Sequence, residues 1–216
     1  MTTSRATSAA ERLGVAEGEL GPAAAAAVDS LFRQVDDLTS RLAEAEGLAD
    51  RDALTPLLNR RAFMRELTRA LAYAERYGSP ASLVYFDVDG LKAINDRLGH
   101  AAGDATLTTV AERLLAHVRA SDVVGRMGGD EFAVVLLQTD GFHAESKARL
   151  LAAAVAEPLA LRGAPAAVSV SWGVAQLRPG LDAERLVAEA DAAMYAERKA
   201  RQTEAEHQAR KEASKG

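Results

Sequence analysis

Two acidic stretches in this sequence have the residue types and spacing to hold a divalent cation. In FDVDG, Asp87 and Asp89 stand two apart at the end of an apolar run. Alternate residues of a strand share one face, so both carboxylates can approach one point. In GGDEF, Asp130 and Glu131 follow the pair Gly128 and Gly129. If the two stretches are neighbours in one sheet, three or four acids meet at a mouth free of bulky side chains. Carboxylates that close repel one another and call for a cation; with no cysteine in the chain, hard oxygen donors suit magnesium. The plainer alternative is that Asp89 caps a helix and Asp130 is a turn residue. Between the two stretches, KAINDRLGHAAGD adds Lys92, Asn95, Asp96, His100 and Asp104. An Asn amide offers an acceptor and donors, and an Asp accepts two hydrogens, which together can match a purine's Watson–Crick edge. Taken singly these residues have ordinary uses too: Asp104 as a helix cap, Lys92 in solvent, His100 packed after Gly99.

The elements that must position these groups follow from periodicity and breakers. A helix is predicted from about Leu57 to Tyr77, with Leu58, Phe63, Leu67, Ala70, Leu71 and Ala74 on one side and an end at Gly78 to Pro80. Ala81 to Gly90 reads as a strand. A short helix over about Leu91 to Arg97 is separated by GH and GD from a longer one over about Ala105 to Ala120. Asp122 to Met127 and Glu131 to Leu137 read as a hairpin across Gly128 and Gly129, since both glycines tolerate positive φ. A helix over Ala144 to Leu159, a strand over Ala167 to Val174 and a helix from Asp182 to about Gln202 complete the order. This predicts an α/β fold of the ferredoxin-like or polymerase-palm type, a central, mostly antiparallel sheet covered by helices. GRMGGD does not fit the GxGxxG of a dinucleotide fold.

Upstream, Val28, Leu31, Val35, Leu38, Leu42, Ala45 and Ala49 alternate steps of three and four, the signature of a left-handed coiled coil. Arg33, Asp36, Asp37 and Arg41 lie off that stripe. A dimeric stalk is the expectation; an amphipathic helix packed on its own domain is the alternative. The resulting division is a mobile leader at 1–22, a coiled-coil-like helix at 23–51, a main domain at 52–203 and a charged, fraying tail at 204–216. Twenty-six Lys and Arg against 31 Asp and Glu give a net charge of -5, which offers no footprint for nucleic acid or an anionic membrane. The absence of cysteine excludes disulfides and thiolate chemistry, and no apolar run approaches the length of a membrane span. A soluble, cytoplasmic protein is expected.

Over about Asp52 to Gln202 the chain closely resembles the GGDEF domain of bacterial diguanylate cyclases. Five stretches carry the likeness in order: DALTPLLNRRAF, FDVDGLKAINDRLGHAAGD, RASDVVGRMGGDEF, SVSWGVA and ADAAMY. The resemblance implies that two GTP molecules, one per domain in a homodimer, are joined into cyclic di-GMP with release of two pyrophosphates. It implies a magnesium ion, with manganese as an alternative, held by Asp87, Asp130 and the Val88 carbonyl. Asp130 is then the acid/base residue with Glu131 beside it, and Asn95 and Asp104 read the guanine edge. Lys92 and His100 contact substrate, and Gly128 and Gly129 let backbone approach the nucleotide. RASD resembles the family's RxxD inhibitory site, with Arg119 and Asp122 binding the product.

The chain departs from the family pattern in places. Leu91 replaces a common Phe and Pro56 a usual Gly. After ADAAMY, the family's Lys and Arg that hold the terminal phosphates correspond to Arg198 and Gln202, with Glu197 in place of a small residue; Arg198 keeps the charge, and Arg201 or Lys199 would have to replace the second cation. A noncatalytic module that binds cyclic di-GMP or GTP is the alternative function. The activating input is expected through a partner protein on the N-terminal helix or a sensor domain outside this chain.

Overall fold

The computed structural model describes residues 13–14, 21–161 and 164–213, so the expected leader lies almost wholly outside the described residues, as do the last three of the tail. The chain divides into two units, 1–49 and 50–216. In the first, helix α1 covers Pro22–Ala49. Leu31, Val35 and Leu38 are all more than half exposed on it. An apolar stripe left to solvent on a helix is what an unpartnered coiled-coil seam looks like. Among the described residues no helix is long and apolar enough to cross a membrane.

The second unit is built on a five-stranded sheet. Its elements are β1 (Leu58–Asn59), α2 (Arg60–Tyr77), β2 (Ala81–Asp89), α3 (Leu91–Leu98), α4 (His100–Ala116), β3 (Val123–Arg126), β4 (Glu131–Leu137), α5 (Gly141–Val155), β5 (Leu159–Leu161), β6 (Ala164–Ala166), β7 (Ser169–Gln176) and α6 (Ala183–Ala213). The sheet order is β1-β3-β4-β2-β7, and β5 and β6 form a separate hairpin. Only β1 pairs in parallel, with β3; every other pairing is antiparallel. The expected palm-type sheet is present, with β2 inside it between β4 and β7.

Period-two alternation assigns each face of β2 to a different core. Val84, Phe86 and Val88 pack with Leu107, Val110, Leu114, Leu151 and Val155 of α4 and α5. Ala81, Leu83 and Tyr85 pack with Phe63 and Leu67 of α2 and with Leu186, Ala190 and Met194 of α6. A strand buried on both faces reads as a continuous apolar run, which is why ASLVYF is legible as one. The two polar residues that end it, Asp87 and Asp89, share the face of Tyr85 and lie toward α6.

Several boundaries differ from expectation for local reasons. Asn59, not Leu57, opens α2: it is extended at ψ 168 and its side chain accepts from the Ala62 amide. α4 begins at His100, so Gly103 and Asp104 lie inside the helix and Asp104 does not cap it. Asp89 does not cap α3 either; Gly90, in the left-handed region at φ 73, holds that position without a side-chain bond. Gly128 and Gly129 do not adopt positive φ, so the hairpin does not depend on that freedom. α6 continues in helix to Ala213, past the expected end near Gln202.

Gly173 of β7 decides how closely α6 can lie. A Cβ there would collide with the Met194 amide and the Ala190 carbonyl, which are backbone and cannot swing aside. Gly173→Ala is expected to lower stability by about 2 kcal/mol through overpacking, or roughly 4 to 8 °C in melting temperature. Calorimetry checks this; an unchanged melting temperature would show that α6 stands off the sheet.

Candidate active site

The acidic mouth is a matter of register across three strands. Asp87 pairs with Glu131 on β4 and with Ser171 on β7, and Asp89 pairs with Ser169. Cross-strand partners share a face, so these side chains form two adjacent rows at one end of the sheet. Beyond the last pair, the Val88 amide donates to the Asp130 carbonyl at 3.0 Å, which sets Asp130 abreast of Val88. The Met127 amide donates to the Glu131 carbonyl at 2.8 Å and closes the glycine turn. The register thus sets Asp87, Asp89, Asp130 and Glu131 at one end of the β2–β4 pair.

The guanidinium groups of α6 meet them. Arg198 Nη1 lies 2.7 Å from Asp87 Oδ1, and its Nη2 lies 3.3 Å from Asp89 Oδ1. Arg201 approaches Asp89 at 3.5 Å and Glu197 at 2.8 Å, and donates to Ser171 Oγ. Asp89 also accepts from Ser169 Oγ at 2.8 Å and Ser171 Oγ at 2.7 Å. Asp87 Oδ1 is enclosed and, despite the nearby guanidinium, has no hydrogen-bond partner, so the contact is one of charge with poor alignment. Burial pushes the Asp87 carboxyl above its ordinary value, with the charges of Asp130 and Asp89 adding to it and Arg198 opposing. Burial and the neighbouring Glu131 charge also raise the Tyr85 hydroxyl and keep it protonated.

Each glycine here has a particular steric role. A Cβ at Gly128 would collide with Glu131 Oε2, so Gly128 makes room for that carboxylate, while Gly129 faces open space. A Cβ at Gly103 would strike Asn95 Oδ1, which is buried without a hydrogen-bond partner. Asn95 of α3 therefore packs against α4 at Gly103, the residue before Asp104. Lys92, on the first turn of α3, and His100, the first residue of α4, are both exposed.

Arg119 and Asp122 lie elsewhere. The Asp122 carboxylate accepts from the Arg119 amide at 2.9 Å and from the Leu137 amide at 3.3 Å. Leu137 ends β4 and Glu131 begins it, so this pair sits about 20 Å from the acidic mouth at a strand rise of roughly 3.3 Å per residue. Both residues line a cavity of about 470 Å³ with His143 and Lys147 of α5.

Sequence reasoning alone misses Ser169, Ser171, Gly103 and the bridge between Arg126 and Asp52. Ser-x-Ser on one strand face is the available signal for the serines, and Gly173 within a strand that for close helix approach. Arg126 donates to Asp52 Oδ1 at 3.0 Å and to the Gly129 carbonyl at 2.6 Å, so it ties the glycine turn to the segment entering the domain.

The donor set fits the implied divalent ion. Asp87, Asp130 and the Val88 carbonyl offer hard oxygen donors of the kind a divalent ion takes, and the enclosed Asp87 Oδ1 lacks a hydrogen-bond donor. Among the described residues no three acidic or histidine side chains form a metal cluster by themselves.

A family model described as diguanylate cyclase, GGDEF domain, matches residues 49–204. The chain belongs to the GGDEF domain family. It is 38% identical over 193 residues to diguanylate cyclase TpbB of Pseudomonas aeruginosa strain UCBPP-PA14, a match covering 87% of this chain and 44% of that protein. The chain therefore spans less than half the length of this relative. The GGDEF fold is shared with the crystal structure of the coiled coil and GGDEF domain of DgcB from Caulobacter crescentus in complex with c-di-GMP. That match has a TM-score of 0.72 and 30% identity, over 81% of this chain and 94% of that one. Diguanylate cyclase SiaD, solved in complex with its activator SiaC from Pseudomonas aeruginosa, matches at TM-score 0.68 and 29% identity over 80% and 68% of the two chains.

The bridge from Arg126 to Asp52 in this GGDEF domain has a measurable pH signature. Burial raises the Asp52 carboxyl, but hydrogen bonds from Arg126 and Thr55 and the Arg126 charge outweigh it and hold the group below its ordinary value. A depressed carboxyl contributes stability above the unfolded value and loses it as pH falls through the folded one. Asp52→Asn is expected to cost about 2 kcal/mol at neutral pH. Urea titrations of both proteins should converge below about pH 4; a gap independent of pH would remove the ionised bridge from the account.

Proposed function

We propose that this chain is a diguanylate cyclase that condenses two GTP molecules into cyclic di-GMP in the cytoplasm. The observation that carries the proposal is the register that sets Asp87, Asp130 and Glu131 at one end of the sheet, with Asn95 packed against Gly103, the residue before Asp104, on the adjoining helix pair. Membership in the GGDEF family and likeness to the diguanylate cyclase TpbB support it.

In this reading Asn95 and Asp104 bind the guanine edge, which an adenine with its reversed donors and acceptors does not match. Lys92, His100 and Arg198 carry positive or polar groups toward the phosphates, and Gly128 and Gly129 leave space for them. Asp87, Asp130 and the Val88 carbonyl would hold a magnesium or manganese ion, whose charge would offset the polyphosphate and the developing negative charge at the α-phosphorus. Asp130, with Glu131 beside it, receives the proton of the ribose 3'-OH as that oxygen bonds to the α-phosphorus of the second nucleotide and pyrophosphate leaves. The same step in the opposite sense closes the ring.

One domain holds one nucleotide, so two must face each other. The exposed stripe of Leu31, Val35 and Leu38 fits a homodimeric coiled coil that raises the effective concentration of one half-site near the other. The DgcB structure pairs a coiled coil with its GGDEF domain, which supports this use, and the SiaD–SiaC complex supports control by an activator protein, which here would act on the N-terminal helix. Arg119 and Asp122, with the cavity beside them, are read as the site where the product inhibits, in line with the c-di-GMP complex of DgcB. A noncatalytic receptor for cyclic di-GMP would use that site alone.

Chromatography of reactions with GTP or ATP tests the proposal. Cyclic dinucleotide should form from GTP and magnesium but not from ATP, and Asp130→Asn should lower the rate by at least about 100-fold. Added cyclic di-GMP should slow the native protein and spare Arg119→Ala. Binding of cyclic di-GMP without any product from GTP would instead establish the receptor.

A further inference from the structure

Arg198 differs from its neighbour Arg201 in what holds it. Arg201 is braced by Glu197, Ser171 and Asp89 together. Among the described residues Arg198 has only the two carboxylates, Asp87 and Asp89, and its contact with Asp87 is off the hydrogen-bond axis. Both acids are mostly buried, with side-chain exposures of 14% for Asp87 and 23% for Asp89. Asp89 has its own frame of serine hydroxyls and Arg201; among the described residues Asp87 has Arg198 alone. A planar guanidinium can bridge two carboxylates at once, which a lysine ammonium, as a point charge, does less well.

We propose that Arg198 is a stand-in cation: in the nucleotide-free domain it neutralises Asp87 and Asp89, and a divalent ion gains Asp87 freely only when a polyphosphate draws the guanidinium away. The inference rests on the functional reading above, which makes Asp87 a metal ligand, and adds an order to the binding. A divalent ion entering alone meets the positive guanidinium beside its own ligand, and like charges in a half-buried site repel strongly. A triphosphate offers Arg198 an alternative anion, so metal and nucleotide binding are coupled through one side chain, and each strengthens the other. The poor alignment of the contact with Asp87 permits the exchange, while Arg201, through Ser171 and Asp89, keeps this part of α6 over the sheet when Arg198 moves.

The test needs no nucleotide. The free Mn2+ signal in electron paramagnetic resonance measures metal binding to the full chain, with circular dichroism confirming that each variant is folded. Arg198→Gln should bind Mn2+ about tenfold more tightly than the native protein, within the usual range of coupling between two sites. Arg198→Lys, which keeps the charge and loses the fork, should fall between them. Asp87→Asn in the Arg198→Gln background should abolish the gain, which locates the ion at Asp87. In chelator the melting temperature of Arg198→Gln should lie below that of the native protein, and Mn2+ should restore it. Equal or weaker Mn2+ binding by Arg198→Gln, or a gain that survives Asp87→Asn, would overturn the proposal. Failure to form product from GTP would overturn the enzymatic reading and leave these metal affinities as they are.

Discussion

The close seating of α6 on β7 at Gly173 is the constraint from which the acidic site takes its form. Helix and strand run in opposite directions here, and their rises can be compared. From Met194 to Arg198 and Arg201 the helix advances about 6 to 10 Å at roughly 1.5 Å per residue. From Gly173 back to Ser171 and Ser169 the strand covers about 7 to 13 Å at roughly 3.3 Å per residue. Arg198 and Arg201 thereby arrive above the rows that contain Asp87, Ser171, Asp89 and Ser169. A larger residue at 173 would lift the helix, and the guanidinium groups with it.

Strand β2 transmits that constraint to the rest of the domain. It is covered on both faces and flanked on both edges, so its register is fixed by β4 on one side and β7 on the other. A slip of one residue would turn Asp87 and Asp89 into the core beneath α4 and α5 and bring Phe86 and Val88 to the mouth. The same strand pair separates two sites: β4 begins with Glu131 at the acidic edge and ends with Leu137 beside Asp122. Packed, paired strands between them give any signal from the Arg119 end a rigid element to act through.

Much of this is legible in the chain because the informative residues are local. The run ASLVYFDVDG shows both the buried strand and the point where it becomes polar, and the glycine pair before Asp130 marks the hairpin. What stays hidden is non-local. Nothing near Arg198 in sequence says that it meets Asp87, which requires the helix to cross the sheet at Gly173. β1 is two residues long and carries no periodic signal, so by pattern alone it merges with the helix that follows. Gly103 reads as a break between helices because a glycine separator and a glycine required by a neighbouring side chain look alike; only the position of Asn95 distinguishes them. The serines of β7 act through their pairing with β2, which no spacing within SVSWG records.

The central claim is that α6 supplies the charge that balances the acidic end of β2. A double-mutant cycle on metal-free protein, with Arg198→Gln and Asp89→Asn made singly and together and stability read from urea titrations, measures that link directly. The account predicts a coupling of about 1 kcal/mol, in the range found for residues in one ionic network. Additive effects, to within about 0.3 kcal/mol, would contradict it and reduce the helix to a lid that lies over the carboxylates without engaging them.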